Sequence, residues 1–220
     1  MKNKFKVILF NDIKGSSRLW KEFEDSIMHD MIKKIINIFK KLSKKYNGTI
    51  IKFVGDSFNI AFNNIKDAIN LALDFYLYLN KNPLIISNTE KIQFRTGICY
   101  GEVTEINYNL NNCKLIDYYG NIVNTASRME SKVSSVNGLA IGIYKFNQNE
   151  INNIIEIINS NKKYSENWSI ETKYFTNKCN INRQKRSMKL LHDLSIKCDN
   201  LSKLKGVDNI FVVNLIPKFN

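Results

Sequence analysis

Between Ile50 and Phe62 the chain reads I-I-K-F-V-G-D-S-F-N-I-A-F. Two short apolar runs flank Gly55-Asp56, which predicts a tight β-hairpin with an acid at its tip. Phe58, Ile60 and Phe62 continue a period of two, and Ile51, Phe53 and Phe58 are expected in the core. Upstream, Phe5 to Phe10 is apolar and predicts a buried central strand ending at Asn11-Asp12. Gly15 then permits a sharp turn, and Ser16 or Ser17 is placed to cap a helix. Leu19, Phe23, Ile27, Met31, Ile35, Ile38, Phe39 and Leu42 recur at helical spacing, marking a long amphipathic helical region closed by Asn47-Gly48.

After the hairpin, Asn63 or Asn64 is a cap for a helix carrying Ile65, Ala68, Ile69, Ala72, Leu73, Tyr76 and Leu79. Pro83 falls in the following loop. Ile92 to Val103 alternates as a strand, with Gly97 and Gly101 marking close backbone approach or a bulge. A polar loop at Asn107 to Asn112 leads to a short strand at Lys114 to Asp117. Tyr118-Tyr119-Gly120 turns into a helix with Val123, Ala126, Met129 and Val133, and Leu139 to Ile143 is a further strand. Residues 147 to 200 are rich in Asn and Lys. Ile151, Ile154, Ile155 and Ile158 predict a helix there, and Met188, Leu190, Leu191 and Leu194 a short apolar element. Ile210 to Ile216 is the last strand. The order is β-α-β-β-α-β with additions, without repeat or linker. It predicts one α+β domain over residues 1–220, with an antiparallel-rich sheet and helices on one face.

Composition narrows the class. Of 220 residues, 44% are apolar, with 13 Phe and 10 Tyr, enough to fill a core. No run is long enough to span a membrane, and the N-terminus lacks a signal-peptide pattern, so a cytoplasmic protein is expected. Cys99, Cys113, Cys179 and Cys198 show no C-x-x-C spacing, which fits a reducing compartment and argues against structural zinc. With only His29 and His192, a histidine triad or metal cluster is not expected. The net charge of +13 fits a polyanionic nucleotide. The lysines are spread along the chain, so the charge also fits plain composition bias. Lys162 to Lys205 is the one basic stretch, and it carries no nucleic-acid motif.

Asp12 and Asp56 stand out because each ends an apolar strand. A turn acid satisfied by its own backbone is the ordinary reading of either one. Two such acids beside a glycine-serine turn and a helix start suggest more. Carboxylates hold hard divalent ions, and orphan N–H groups at a helix start hold phosphate. The combination suits metal-assisted phosphoryl transfer. Rossmann and Walker A fingerprints are both absent.

The runs F-N-D-I-K-G-S-S (Phe10 to Ser17), I-K-F-V-G-D-S-F (Ile51 to Phe58), F-R-T-G-I-C-Y-G-E-V (Phe94 to Val103), D-Y-Y-G-N-I-V-N-T-A-S-R-M-E (Asp117 to Glu130) and L-K-G-V (Leu204 to Val207) occur in this order. Together they resemble the catalytic domain of class III nucleotidyl cyclases, the adenylate and guanylate cyclases. The resemblance implies a ferredoxin-like βαββαβ core and a homodimer with shared sites. It makes Asp12, Asp56 and the Ile13 carbonyl ligands of two Mg2+ or Mn2+ ions. The amides from Ile13 through Lys14, Gly15 and Ser16 to Ser17 would face the β- and γ-phosphates. Asn124 would orient the ribose and Arg128 would grip the phosphates at the reacting centre. Lys205, or its neighbour Lys203, would add a phosphate contact. Arg95 is expected to be structural or edge-facing.

Lys52 and Asp117 each lie three residues before a glycine, as in adenylate-type members. By that resemblance they read the base. Lysine offers only donors and ionised aspartate only acceptors, which suits N1 and the amine of adenine. The expected activity is conversion of ATP to cyclic AMP and pyrophosphate. One subunit would give Asp12 and Asp56, its partner Lys52, Asp117, Asn124 and Arg128. The rivals are a cyclase making cyclic CMP or cyclic UMP in bacterial antiviral signalling, a weak cyclase-like dimerisation module, and a basic nucleic-acid binder.

Overall fold

The computed structural model describes residues 2–88, 90–110, 113–144, 147–176, 197–200 and 210–219. In chain order the elements are β1 (Lys2–Ile13), α1 (Ser16–Glu22), α2 (Asp25–Lys45), β2 (Thr49–Val54), β3 (Ser57–Phe62), α3 (Ile65–Lys81), β4 (Phe94–Leu110), β5 (Cys113–Tyr119) and α4 (Asn121–Arg128). A π-helical turn (Met129–Val133) follows, then β6 (Leu139–Tyr144), α5 (Gln148–Asn159), α6 (Lys162–Asn167), β7 (Trp168–Thr176), β8 (Lys197–Asn200) and β9 (Ile210–Pro217). The strands form one sheet in the order β2-β3-β1-β4-β6-β9-β7-β8, with β5 paired to the far half of β4. Its first four strands are antiparallel and, with α2 and α3, make the expected βαββαβ core. Parallel pairing occurs at β4–β6 and β7–β8.

The main core follows from the alternation in β1. Val7, Leu9 and Ile13 pack with Met28, Ile35 and Phe39 of α2 and with Ala68, Ala72 and Phe75 of α3. Phe39 lies between Phe58 and Phe75, with ring centroids 4.7 and 4.6 Å away. Each such buried ring contributes about 1.5–3 kcal/mol. Helices do not keep to one face, however. Ile8 points the other way and packs with Cys99, Tyr118, Ile122 and Ala126, so α4 covers the opposite side of the sheet.

Local structure departs from the pattern in four places. The long helical region breaks at Phe23, which is extended, and the buried stripe restarts on Met28 in place of Ile27. No Gly or Pro marks that break. The α1 cap is Gly15 in the left-handed region, not a serine side chain. Asn64 does cap α3, accepting from the Asp67 N–H. Asn107 to Leu110 extend β4 rather than forming a loop, so β4 and β5 make a long hairpin arm. Phe53 is 39% exposed instead of core, because β2 is the sheet edge; its ring packs edge-on to Phe58, at 5.1 Å. The apolar element expected around Met188 to Leu194 lies outside the described residues.

Candidate active site

Asp12 shares the parity of Ile8 in β1, so its carboxyl faces the α4 side, away from the main core. Asp56 reaches the same place by a different route. Val54 pairs with Ser57, leaving Gly55-Asp56 as a two-residue turn. Gly55 has φ 60, which a side chain would strain. The two carboxyls face one another. Burial, and then the Asp56 charge, push Asp12 up to about 6, while Arg95 and the Ile13 N–H pull the other way. Asp56 Oδ2 is buried and accepts no hydrogen bond. Such an orphaned oxygen is costly.

Ile13 is opposite Phe94 in the β1–β4 ladder without exchanging hydrogen bonds with it. Phe94, its cross-strand neighbour, uses its own N–H and C=O on Asn137, at 3.0 and 2.6 Å. The Ile13 main-chain groups therefore turn toward the hairpin side. The pair of acids with the Ile13 carbonyl fits a hard divalent cation in donor type and charge. Among the described residues no group of three or more His, Cys, Asp or Glu forms a metal cluster. Phosphate oxygens and water would have to complete a shell.

The neighbouring loop offers fewer amides than expected. Lys14 N–H already donates to Gln93 O at 2.8 Å. The first-turn amides of Ser16 and Ser17 remain, beside the exposed Gly15.

Lys52 and Asp117 come together from strands 65 residues apart: Lys52 Nζ donates to Asp117 Oδ2 at 2.7 Å. Asp117 is buried, and its Oδ1 accepts from the Tyr118 N–H at 2.8 Å. Among the described residues no hydrogen bond or ion pair links these two to Asp12 or Asp56. Asn124 is exposed and Arg128 half-buried on α4, and among the described residues neither side chain makes a hydrogen bond or ion pair. Lys203 and Lys205 lie outside the described residues.

The model of the adenylate and guanylate cyclase catalytic domain matches residues 3–140. The chain belongs to this family. No curated protein sequence gives a significant match. The cyclase domain resembles solved structures across its length. With the guanylate cyclase domain of RhGC from Catenaria anguillulae in complex with GTP it shares 16% identity and a TM-score of 0.65, over 99% of both chains. With the catalytic core of a rhodopsin-guanylyl cyclase of converted specificity, in complex with ATPalphaS, the values are 19% and 0.63 over 96% of each. With the adenylyl cyclase CyaB from P. aeruginosa they are 20% and 0.60, over 98% of this chain and 95% of that one. Guanylyl and adenylyl cyclases both occur among these relatives in fold, so likeness alone leaves the base open.

Two residues of this cyclase site escaped the pattern. Arg95 is not edge-facing: its guanidinium stands 4.0 Å from Asp12 and 3.1 Å from Glu130. Glu130 is buried, and burial pushes it up to about 7 although Arg95 pulls it down. The signal available in sequence was an arginine two residues before Gly97, matched to a glutamate ending the Asp117-to-Glu130 run.

Proposed function

We propose that this cyclase domain converts ATP to 3′,5′-cyclic AMP and pyrophosphate, at a site completed by a second copy of the chain. The observation that carries the base assignment is the Lys52–Asp117 contact at 2.7 Å. It sets an ammonium donor beside a carboxylate acceptor. Adenine presents N1 and its amine to such a pair. Guanine presents O6 and a protonated N1, so at least one contact must change partner or fail.

Bound at Asp12, Asp56 and the Ile13 carbonyl, two Mg2+ or Mn2+ ions would make the ribose 3′-hydroxyl more acidic and offset phosphoryl charge. In the reaction the 3′-oxygen would bond to the α-phosphorus as the bond to pyrophosphate breaks, with the hydroxyl proton passing to water. The first-turn amides of Ser16 and Ser17 hold phosphate oxygens. Asn124 orients the ribose, and the planar fork of Arg128 grips phosphate. Lys205 or Lys203 adds a further cation. Two features support a partner copy. No hydrogen bond or ion pair among the described residues joins the acid pair to the Lys52–Asp117 pair, and the side chains of Asn124 and Arg128 make none. Phe53 and Val54 also leave apolar surface exposed on the hairpin, 39% and 58%.

Cytosine offers N3 and an amine of the same polarity, so CTP is the rival that hydrogen bonding excludes least. Competition among the four triphosphates with Mg2+ or Mn2+, products identified by mass, decides the matter. ATP should lead in kcat/KM by about ten-fold or more, the effect of one lost charged hydrogen bond. Dominant cyclic CMP, UMP or GMP would reject the adenine assignment and leave the metal acids standing.

A further inference from the structure

Asp12 sits directly opposite Arg95 across β1 and β4. Arg95 is held from three sides. Nη2 lies 4.0 Å from Asp12 Oδ2, Nε lies 3.1 Å from Glu130 Oε1, and Nη1 donates to the Ser131 carbonyl at 3.2 Å. The Glu130 contact has the distance of an ion pair but not the alignment of a hydrogen bond. Glu130 is only 5% exposed. Its position is set by the π-helical turn, which presses on β4 at Gly97. A methyl group there would meet Ala126 O and Glu130 N at 2.2 Å. Only glycine lets the turn come that close. Arg95 thus braces Asp12, yet an uncompensated guanidinium so near would repel a cation approaching the same carboxyl.

We infer that Glu130 acts on the cation site through its charge, neutralising Arg95 so that Asp12 still attracts a divalent ion. The inference rests on the reading of Asp12 and Asp56 as the metal acids. With Glu130 ionised, the group of Asp12, Asp56, Arg95 and Glu130 carries two net negative charges, and without it one. Outer partners of this kind tune the affinity of the ligands they support.

Mn2+ alone is the probe, with the free ion read by electron paramagnetic resonance at about pH 8, above the raised pKa of Glu130. Melting curves report the fold of each variant. E130Q should weaken Mn2+ binding by about ten-fold. R95Q/E130Q removes the cation together with its counter-charge, and should return to within about three-fold of wild type, as should E130D. A merely structural Glu130 predicts the opposite: the double variant binds no better than E130Q, and E130D is impaired with it. Wild-type affinity in E130Q, or no recovery in R95Q/E130Q and E130D, overturns the proposal. D56N separates the two levels. Lost binding in D56N with unchanged binding in E130Q sinks this inference alone, whereas D56N that still binds Mn2+ sinks the metal reading beneath it.

Discussion

Asp74 and the Asp12–Asp56 pair are both low-exposure carboxyl sites, and they are built in opposite ways. Asp74 projects from α3 into four donors. Oδ1 accepts from Lys163 Nζ at 2.7 Å and Tyr164 OH at 3.1 Å, and Oδ2 from Lys45 Nζ at 2.7 Å and from the Tyr46 hydroxyl. Burial alone would raise its pKa; Lys163, Lys45 and Tyr46 overcome that and hold it well below the usual carboxylate range. This acid ties α6, which lies beyond the matched residues 3–140, to the end of α2. Asp12 and Asp56 face each other instead, one pushed up to about 6 and the other with a buried oxygen that has no partner. The fold thus satisfies one carboxylate four times over, while it sets two others against each other and leaves Asp56 Oδ2 without a partner. The expensive arrangement is the one that a ligand would relieve.

The sharpest way to break the contrast is to remove one under-satisfied acid. D56N should lose about a thousand-fold in cyclase turnover, since a metal ligand supplies several kcal/mol to the transition state. Its melting temperature should stay at or above wild type. Mixing D56N with R128A should restore part of the activity, because one site of the mixed dimer is intact. Wild-type turnover in D56N rejects the metal role of Asp56. Absence of recovery, once subunit exchange is shown, rejects the shared site.

D74N should do the reverse. We expect a loss of about 2 kcal/mol at neutral pH by thermal or urea unfolding, from two lysines left without their acid. Because the folded pKa is depressed, this stability is present above the unfolded value near about 4 and is lost as the pH falls below it. The gap between D74N and wild type should therefore close on acidification. A constant gap would show that packing, not charge, holds α6.

The smallest effect has the opposite sign. Asp12 has a folded pKa raised to about 6. The metal-free wild type should lose stability relative to D12N as the pH rises between about 4 and about 6, by about 1 kcal/mol after solvent screening. Added Mn2+ should recover it in wild type and not in D12N. Parallel stability curves for the two proteins would mean that the carboxyls are not held against each other.

Much of the core was legible because periodicity is local. Val7 to Leu9 is an unbroken apolar run, Phe58 to Phe62 has a period of two, and the two acids fall at the ends of such runs. The stripe of α3, its Asn64 cap and the close approach at Gly97 were readable for the same reason. The break at Phe23 was not. Nothing local disfavours helix there, and packing of Leu19 and Met28 into one core decides it. Phe53 misled because alternation reports a shared face but not whether anything covers it.

The sequence by itself determined most strands and helices as far as Ile143, the last strand, the family motifs and two acids poised at strand ends, but not α6, β7 or β8. Tertiary structure alone decided what meets across the chain. Lys52 touches Asp117, Arg95 stands between Asp12 and Glu130, and a π-helical turn seats Glu130 against Gly97. The reason is range. A residue's neighbours along its own strand or helix follow from spacing. A charge's partner 65 residues away, as at Lys52, depends on how the β4–β5 hairpin and the sheet edge pack, and no periodicity encodes that.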